Sequence, residues 1–392
     1  MKESNINTDN NNFSRRAFLR NCTGFGLGCF VFNNMDFSEN LLTGNTKELN
    51  NSNTIKLHKA DYWKSLGKKI TQCELCPNGC TLAVGENGNC HSRGNRDGEY
   101  YSLVYGLPAI IALDNIEKSP LYHYQIKDKA FSIATSGCNL HCNYCQNSDY
   151  SQVGPDEVKT YPLEPADVIA RAKKNGVNAI NFFYTEPTIY FEYMRDIAVL
   201  AKKENMKTFC VTAGSINEEP LNELIPLIDA FVFGLKGFDK VFYTKYIHGE
   251  LEPIKNSLKI LAKNKDKTWF EIVNLLVTDL NVDDTQITAM CKWIKEEIGI
   301  DVPLHFTRFE PYYKMKDFEP TPISSLSNAY QIAKDIGLQY VYTGNLPGND
   351  GCNTYCPKCR KTLIERVDFD IIKNITDKGK CSCGHQLPGY WL

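Results

Sequence analysis

Twelve of the sixteen cysteines fall in three tight groups, and their spacing constrains this chain more than any other feature. The groups are Cys73, Cys76, Cys80 and Cys90; Cys138, Cys142 and Cys145; and Cys352, Cys356, Cys359, Cys381 and Cys383. Gaps of two and three residues between thiols read as metal ligation. Disulfides are the rival arrangement in a secreted chain, but a chain of 392 residues buries enough core to need no staples. The remaining four, Cys22, Cys29, Cys210 and Cys291, read as small apolar residues.

From Phe131 onward, strand-like apolar runs alternate with amphipathic helical ones. The expected strands are Phe131–Thr135, Ala179–Tyr184, Thr208–Thr212, Ala230–Leu235, Phe270–Val277 and Pro303–Phe306. The expected helices are Pro165–Lys174, Thr188–Lys203, Pro220–Ile228, Pro253–Lys263, Asp284–Ile298 and Ser324–Ile336. Repeated βα units of this length imply a parallel sheet. Six units are too few for a closed eight-fold barrel and suit an open, partial (β/α)6 barrel in an α/β chain. In such a fold the chemistry sits at the C-terminal ends of the strands. Tyr342-Thr343-Gly344-Asn345 is a further segment able to close the barrel.

The first residues are polar, Asn-rich and aperiodic, the composition of a disordered start. Ser14-Arg15-Arg16-Ala17-Phe18-Leu19-Arg20, followed by the short apolar stretch Cys22–Phe32, has the layout of a twin-arginine export signal. That predicts export to the periplasm; without use of the signal the chain stays in the cytoplasm. The reading divides the chain into a start and signal (1–35), a linker (36–60), an N-terminal cysteine-rich module (61–125), the barrel (126–347) and a C-terminal module (348–392). The net charge of −2 and pI of about 6.4 show no basic excess pointing to nucleic acid. No apolar run reaches the ~18 residues of a membrane span.

Cys138, Cys142 and Cys145 form CxxxCxxC just past the first expected strand. Three thiolates satisfy three irons of a cubane [4Fe–4S] cluster, and the fourth iron is left open. A structural zinc site closes with four ligands, so an isolated trio suggests a catalytic position. His141, inside the loop, is the alternative fourth ligand, though the tight loop favours its facing solvent.

Here the sequence resembles the radical S-adenosylmethionine (SAM) superfamily. The resemblance implies that the open iron binds the amino and carboxylate groups of SAM. It implies reductive cleavage of SAM to methionine and a 5′-deoxyadenosyl radical, which abstracts hydrogen from a substrate. Tyr144 matches the aromatic residue that precedes the last cysteine and packs near the adenine. Thr185-Glu186-Pro187 resembles the acidic motif that holds the SAM amino group; a carboxylate suits an ammonium. The plain alternative is Glu186 as a helix N-terminal acid. Val211-Thr212-Ala213-Gly214 falls where ribose contacts are usual, with Thr212 and Gly214 as candidates and a Gly that lets backbone approach a ligand. Many relatives carry Asn where Ala213 stands. Gly234-Leu235-Lys236 resembles the Asp-Leu-Lys motif of glycyl-radical-enzyme activases, with Gly234 at the Asp position and Lys236 kept. His305 and Arg308 are candidates for contact with SAM or substrate; a packed core His is the alternative for His305.

The flanks narrow the resemblance. Cys73-Glu74-Leu75-Cys76-Pro77, Cys80, Gly88-Asn89-Cys90, the stretch Asn115–His123, Gln146-Asn147, and Pro388-Gly389-Tyr390-Trp391 together resemble the radical SAM family of the AmmeMemoRadiSam system. That group is similar to pyruvate formate-lyase activating enzymes. The family implies Memo-like and AMMECR-type proteins as partners, and an activase role would imply a glycyl radical enzyme. Either role needs a low-potential electron donor.

Cys73, Cys76, Cys80 and Cys90 supply four ligands for either zinc or an auxiliary iron–sulfur cluster. Cys356, Cys359, Cys381 and Cys383 resemble two knuckles of a zinc ribbon, the second one residue tighter than usual. Cys352 and His385 are alternative ligands there, and structural zinc is preferred over a cluster. Two functions of different class remain: a SAM-cleaving enzyme with an unidentified substrate, activases included, and an iron–sulfur electron-transfer protein. The barrel and Glu186 favour the enzyme, because a carrier needs neither.

Overall fold

The computed structural model describes residues 57–126, 129–346 and 348–392. The twin-arginine motif, Cys22 and Cys29 lie outside the described residues. The first strands are short. β1 (His58–Lys59), β2 (Trp63–Gly67), β3 (Ile70–Cys73), β4 (Thr81–Leu82), β5 (Arg93–Arg96) and β6 (Glu99–Ser102) build two antiparallel three-stranded sheets, ordered β1-β6-β5 and β2-β3-β4. A buried ion pair ties them to the rest of the chain: Arg93 Nη1 donates to both Glu192 carboxylate oxygens, at 2.8 and 3.0 Å. Both side chains are excluded from water, where such a pair holds only with good geometry.

The apolar runs then become one eight-stranded sheet. It contains β7 (Ile110–Asp114), β8 (Ala130–Ala134), β9 (Ala179–Phe182), β10 (Lys207–Thr212), β11 (Ala230–Gly234), β12 (Trp269–Leu276), β13 (Leu304–Arg308) and β14 (Val341–Gly344), in that spatial order. β8 to β14 run parallel; β7 pairs antiparallel with β8. All six expected strands are present, and Tyr342–Gly344 forms part of a seventh parallel one. β7 was not anticipated, because Ile110–Asp114 precedes the first βα unit; it joins to the sheet a stretch expected in the N-terminal module. Every residue of β8 and β9 is buried, as a parallel strand covered on both faces requires.

Among the described residues, six helices of seven or more residues link or follow these strands: α1 (Pro165–Lys174), α2 (Phe191–Lys203), α3 (Glu218–Leu224), α4 (Leu251–Ala262), α5 (Asp284–Trp293) and α6 (Ile323–Ile336). Their starts and ends follow local chemistry. α1 begins with Pro165 and ends in Lys173 and Lys174, suiting the helix dipole. Asp283 caps α5 by accepting from the Gln286 N–H, and Gly337, at φ 105°, ends α6. Their apolar faces pack on one side of the sheet. On the other, Ile116, Leu121 and Tyr124 pack with Ala179, Phe209, Ala230 and Val232. Among the described residues no helix is long and apolar enough to cross a membrane.

The last strands, β15 (Thr354–Tyr355), β16 (Thr362–Val367) and β17 (Asp370–Asn374), form a small antiparallel sheet. It joins the barrel near the starts of β12, β13 and β14 through a buried polar network. Glu271 accepts from the His123 and Tyr122 backbone N–H groups and from Trp269, and pairs with His305 at 2.7 Å. His123 contacts Tyr342 at 2.7 Å, and Arg366 lies 4.1 Å over the Tyr122 ring.

Candidate metal centre

The loop after β8 carries Cys138, Cys142 and Cys145, all half-buried. It turns at Gly137, whose φ is +93°. A Cβ there would stand 2.0 Å from Ser92 Oγ and 2.3 Å from the Cys90 carbonyl oxygen, so only glycine fits. A π-helical turn, Tyr243–Ile247, braces the loop from the other side. Its Ile247 and Tyr246 carbonyls accept from the His141 and Asn143 N–H groups at 3.0 and 2.8 Å. Such turns free backbone carbonyls that a regular helix would use internally.

The three thiols share one electrostatic environment. Burial pushes Cys138 well above its ordinary value, with Glu186 and Cys142 adding to the shift. Burial raises Cys142 to about 12, against the pull of Lys236. Cys145 also rises by burial, moderated by a 3.2 Å contact with Ser151. Thiols held this way ionise only beside added positive charge, which the irons of a cluster would provide. Four buried polar atoms in this segment, Ser136 Oγ, Asn139 Oδ1, His141 Nε2 and Tyr144 OH, have no hydrogen-bond partner among the described residues. Buried polar atoms are normally paired, so the pocket suits a polar group bound beside the thiols. His141 does not face solvent: it is half-buried, with Nδ1 2.6 Å from Gln152 Oε1. Tyr144 is buried between the Phe242 and Phe309 rings.

Glu186 follows β9 and is buried. Its Oε1 accepts from Thr188 N, Thr188 Oγ1 and Thr212 Oγ1 at 3.2, 2.8 and 2.5 Å, and its Oε2 accepts from Ala213 N at 2.8 Å. The carboxylate thus joins the ends of β9 and β10 and lies close enough to raise Cys138 and Cys142. It also caps the short turn Pro187–Tyr190, as the plain alternative expects. Thr212 accepts from Gly214 N at 2.9 Å, so its hydroxyl is engaged by protein on both sides. Gly214 is required by packing: at φ +72°, a Cβ would meet Phe233 Cζ at 1.8 Å.

Lys236 folds back over Gly234, where a Cβ would stand 3.1 Å from its Nζ. The space of an Asp side chain at 234 is therefore taken by the lysine. Among the described residues its ammonium makes no hydrogen bond or ion pair, and its charge acts on Cys142 and Cys145.

His305 and Arg308 are not brought to the trio's pocket by hydrogen bonds or charge. His305 sits near the start of β13, bonded to the buried Glu271. Arg308, at the strand's end, bonds the Thr321 carbonyl at 2.8 Å and Glu310 at 2.5 Å. The Glu271 network went unseen in the sequence because its members span Tyr122 to Arg366, with no local pattern.

The C-terminal sulfurs of Cys356, Cys359, Cys381 and Cys383 lie within 4.8 Å of one another. The Cys356–Cys383 and Cys359–Cys381 separations are 3.5 and 3.6 Å. Tetrahedral zinc with ~2.3 Å bonds sets sulfurs about 3.8 Å apart, so this set fits a single ion despite its tight Cys-x-Cys knuckle. Cys352 points instead at the Asn349 and Arg366 carbonyls, and His385 bonds Tyr340. Among the described residues no other group of three or more Cys, His, Asp or Glu ligand atoms is this compact.

The N-terminal thiols also converge. Burial raises Cys76 to about 12 and Cys90 to about 11; Cys73 acts on both, and Cys80 acts on Cys90. The Asn139 side chain, from the middle loop, lies close enough to lower the Cys76 thiol, and its Nδ2 donates to the Ser215 carbonyl at 2.7 Å. Asn139 was not singled out in the sequence, where its only signal is a polar residue beside a candidate ligand.

Residues 132–291 match the family model described as the Radical SAM superfamily. An uncharacterised protein of Methanocaldococcus jannaschii is 38% identical over 334 residues, covering 84% of this chain and 99% of that protein. Among solved structures, a domain of pyruvate-formate lyase-activating enzyme from Bacteroides vulgatus is 17% identical, covers 42% of this chain and 98% of its own, and has a TM-score of 0.37. A radical SAM methyltransferase from Sphaerobacter thermophilus is 12% identical, covering 55% and 66%, with a TM-score of 0.44.

Proposed function

We propose, for a chain that belongs to the radical SAM superfamily, that Cys138, Cys142 and Cys145 hold a [4Fe–4S] cluster and that SAM binds against it. The observation that carries this reading is the buried Glu186 carboxylate, fixed by four hydrogen bonds beside three convergent thiols. When bound, the cluster and SAM supply one-electron cleavage of a carbon–sulfur bond and hydrogen abstraction from a substrate.

The chain's own residues do the positioning. Glu186 presents its remaining acceptor capacity to the SAM ammonium. Thr212 and Ala213 hold that carboxylate in place rather than turning to a ligand themselves. Tyr144 offers an aromatic face and a free hydroxyl. Lys236 supplies an unpaired cation for the anionic cluster or the SAM carboxylate. An electron carrier would have no use for Glu186, which favours the enzyme. The absence of Asp at 234 removes a feature of the activase motif, so the substrate is proposed as a molecule other than a glycyl radical enzyme.

The test is anaerobic incubation with dithionite and SAM. Formation of 5′-deoxyadenosine by the wild type, absent from Cys142→Ala, supports the reading; equal traces from both overturn it. The compact C-terminal sulfurs support a structural zinc ion. The arginine pair Arg15-Arg16 supports export of the folded protein, and fractionation of the native host tests it. The flanking motifs support Memo-like and AMMECR-type partners, which co-purification tests.

A further inference from the structure

The N-terminal cysteine-rich segment packs directly against the trio's loop. The Gly137 backbone touches the Cys90 carbonyl, as the closeness of its missing Cβ shows. Ser92 Oγ donates to the Ser136 carbonyl at 2.9 Å, and Asn78 Nδ2 to the Asn139 carbonyl at 2.9 Å. Asn139, on the trio's loop, also acts on the Cys76 thiol. A module serving only to fold a small lobe needs no such abutment.

The sulfur spread also distinguishes this set. Within one chain, the C-terminal thiols close to single-ion spacing, whereas neither Cys73, Cys76, Cys80 and Cys90 nor Cys138, Cys142 and Cys145 form so compact a group. As with the trio, no three of the N-terminal four sulfurs lie within 4.8 Å of one another. Thiolates on a cubane are bound to different irons and stand farther apart than thiolates on one zinc ion. Buried, unpartnered donors lie in the same lobe: Thr71 Oγ1, two residues before Cys73, and Arg93 Nε, whose charge acts on Cys90. Donors to cluster sulfurs tune reduction potential.

We infer that Cys73, Cys76, Cys80 and Cys90 ligate a second [4Fe–4S] cluster, through which the electron for the Cys138, Cys142 and Cys145 site enters. The inference of relay rests on the proposed function; the cluster itself does not. One electron passes from a reduced donor of the ferredoxin or flavodoxin class to the four-cysteine cluster, taking it from 2+ to 1+. It then passes to the three-cysteine cluster, which is reduced as the first returns to 2+. No bond is made or broken and no proton moves.

The experiment uses the full chain, reconstituted anaerobically with iron and sulfide. Two cubanes give about eight irons per chain. Replacing Cys138, Cys142 and Cys145 together by Ala should halve the iron, leaving a reduced-cluster electron paramagnetic resonance signal that SAM does not alter. A triple variant that folds but keeps zinc and no iron overturns the proposal. Mössbauer spectra of the wild type decide it should that variant fail to fold: two [4Fe–4S] sites support it, one overturns it. Freeze-quench with reduced flavodoxin tests the relay. The SAM-insensitive signal should appear first, and the reverse order overturns electron entry at this site. If the iron is present but SAM is never cleaved, the proposed function fails while the second cluster stands.

Discussion

Thr212 Oγ1 donates to Glu186 Oε1 at 2.5 Å, joining the ends of β10 and β9 beside the central thiols. Two motifs that the sequence suggests as separate contacts to a ligand are thus one unit, in which Thr212 orients Glu186. On the proposed function, Glu186→Gln removes the charge that would face the SAM ammonium. A hydrogen bond to a charged group contributes roughly 1.5–3 kcal/mol, so SAM affinity should fall about 10- to 100-fold. Thr212→Val, which only loosens the carboxylate, should cost less. Equilibrium SAM binding to the reconstituted protein measures both; an unchanged Kd in Glu186→Gln would remove that residue from the site.

Gly214 stands where a methyl group would enter the Phe233 ring. Overpacking costs about 1–3 kcal/mol and a left-handed non-glycine residue about 1–2 kcal/mol. Gly214→Ala should therefore destabilise the fold by about 3 kcal/mol, seen as a lower Tm. Adding Phe233→Leu should recover the steric part and leave the backbone part.

Among the described residues the Lys236 ammonium has no hydrogen-bond or ion-pair partner, and its charge acts on Cys142 and Cys145. Positive charge favours the more negative, reduced cluster. Lys236→Met should shift the midpoint potential of the SAM-responsive signal to more negative values, while Lys236→Arg holds it near wild type. A redox titration followed by electron paramagnetic resonance reads the shift.

Metal analysis distinguishes ligands from neighbours in the C-terminal module. Cys359→Ser should lose the proposed zinc and lower Tm, because binding and folding of a small metal lobe are coupled. Cys352→Ser should keep the zinc, since its thiol points at the Asn349 and Arg366 carbonyls.

The Glu271 network predicts acid sensitivity. Burial pushes His123 down to about 4 from 6.5. Below pH 6.5 the unfolded chain takes up a proton that the folded chain refuses, so stability falls from pH 6.5 toward 4. Burial pushes Glu271 up, but His305 and His123 more than offset it and hold the carboxyl below 4.5. Its contribution is complete above 4.5 and is lost as pH falls through the folded value, the same direction. At ~1.4 kcal/mol per pH unit, His123 alone should remove about 2 kcal/mol between pH 7 and 5. Urea denaturation, followed through Trp269 and Trp391 beside His123, should show a flatter profile in His123→Asn.

The sequence by itself determined the chemistry that lies within short stretches. CxxxCxxC, the two knuckles and the strand runs are legible because a few covalent bonds keep neighbouring residues close in any compact fold. Glu186 was singled out by its resemblance to the family's acidic motif, at the end of an apolar run. Relations across the sheet were not. His305 is engaged by Glu271, and Gly214 is required by Phe233, because strand register sets those neighbours. The antiparallel β7 became visible only through its pairing with β8. The tertiary structure also decided that the C-terminal sulfurs close to single-ion spacing, while no three of the N-terminal ones do and their segment packs on the central loop. Ligand identity follows from local covalent spacing, whereas the separation of ligands and the company they keep depend on how distant segments pack.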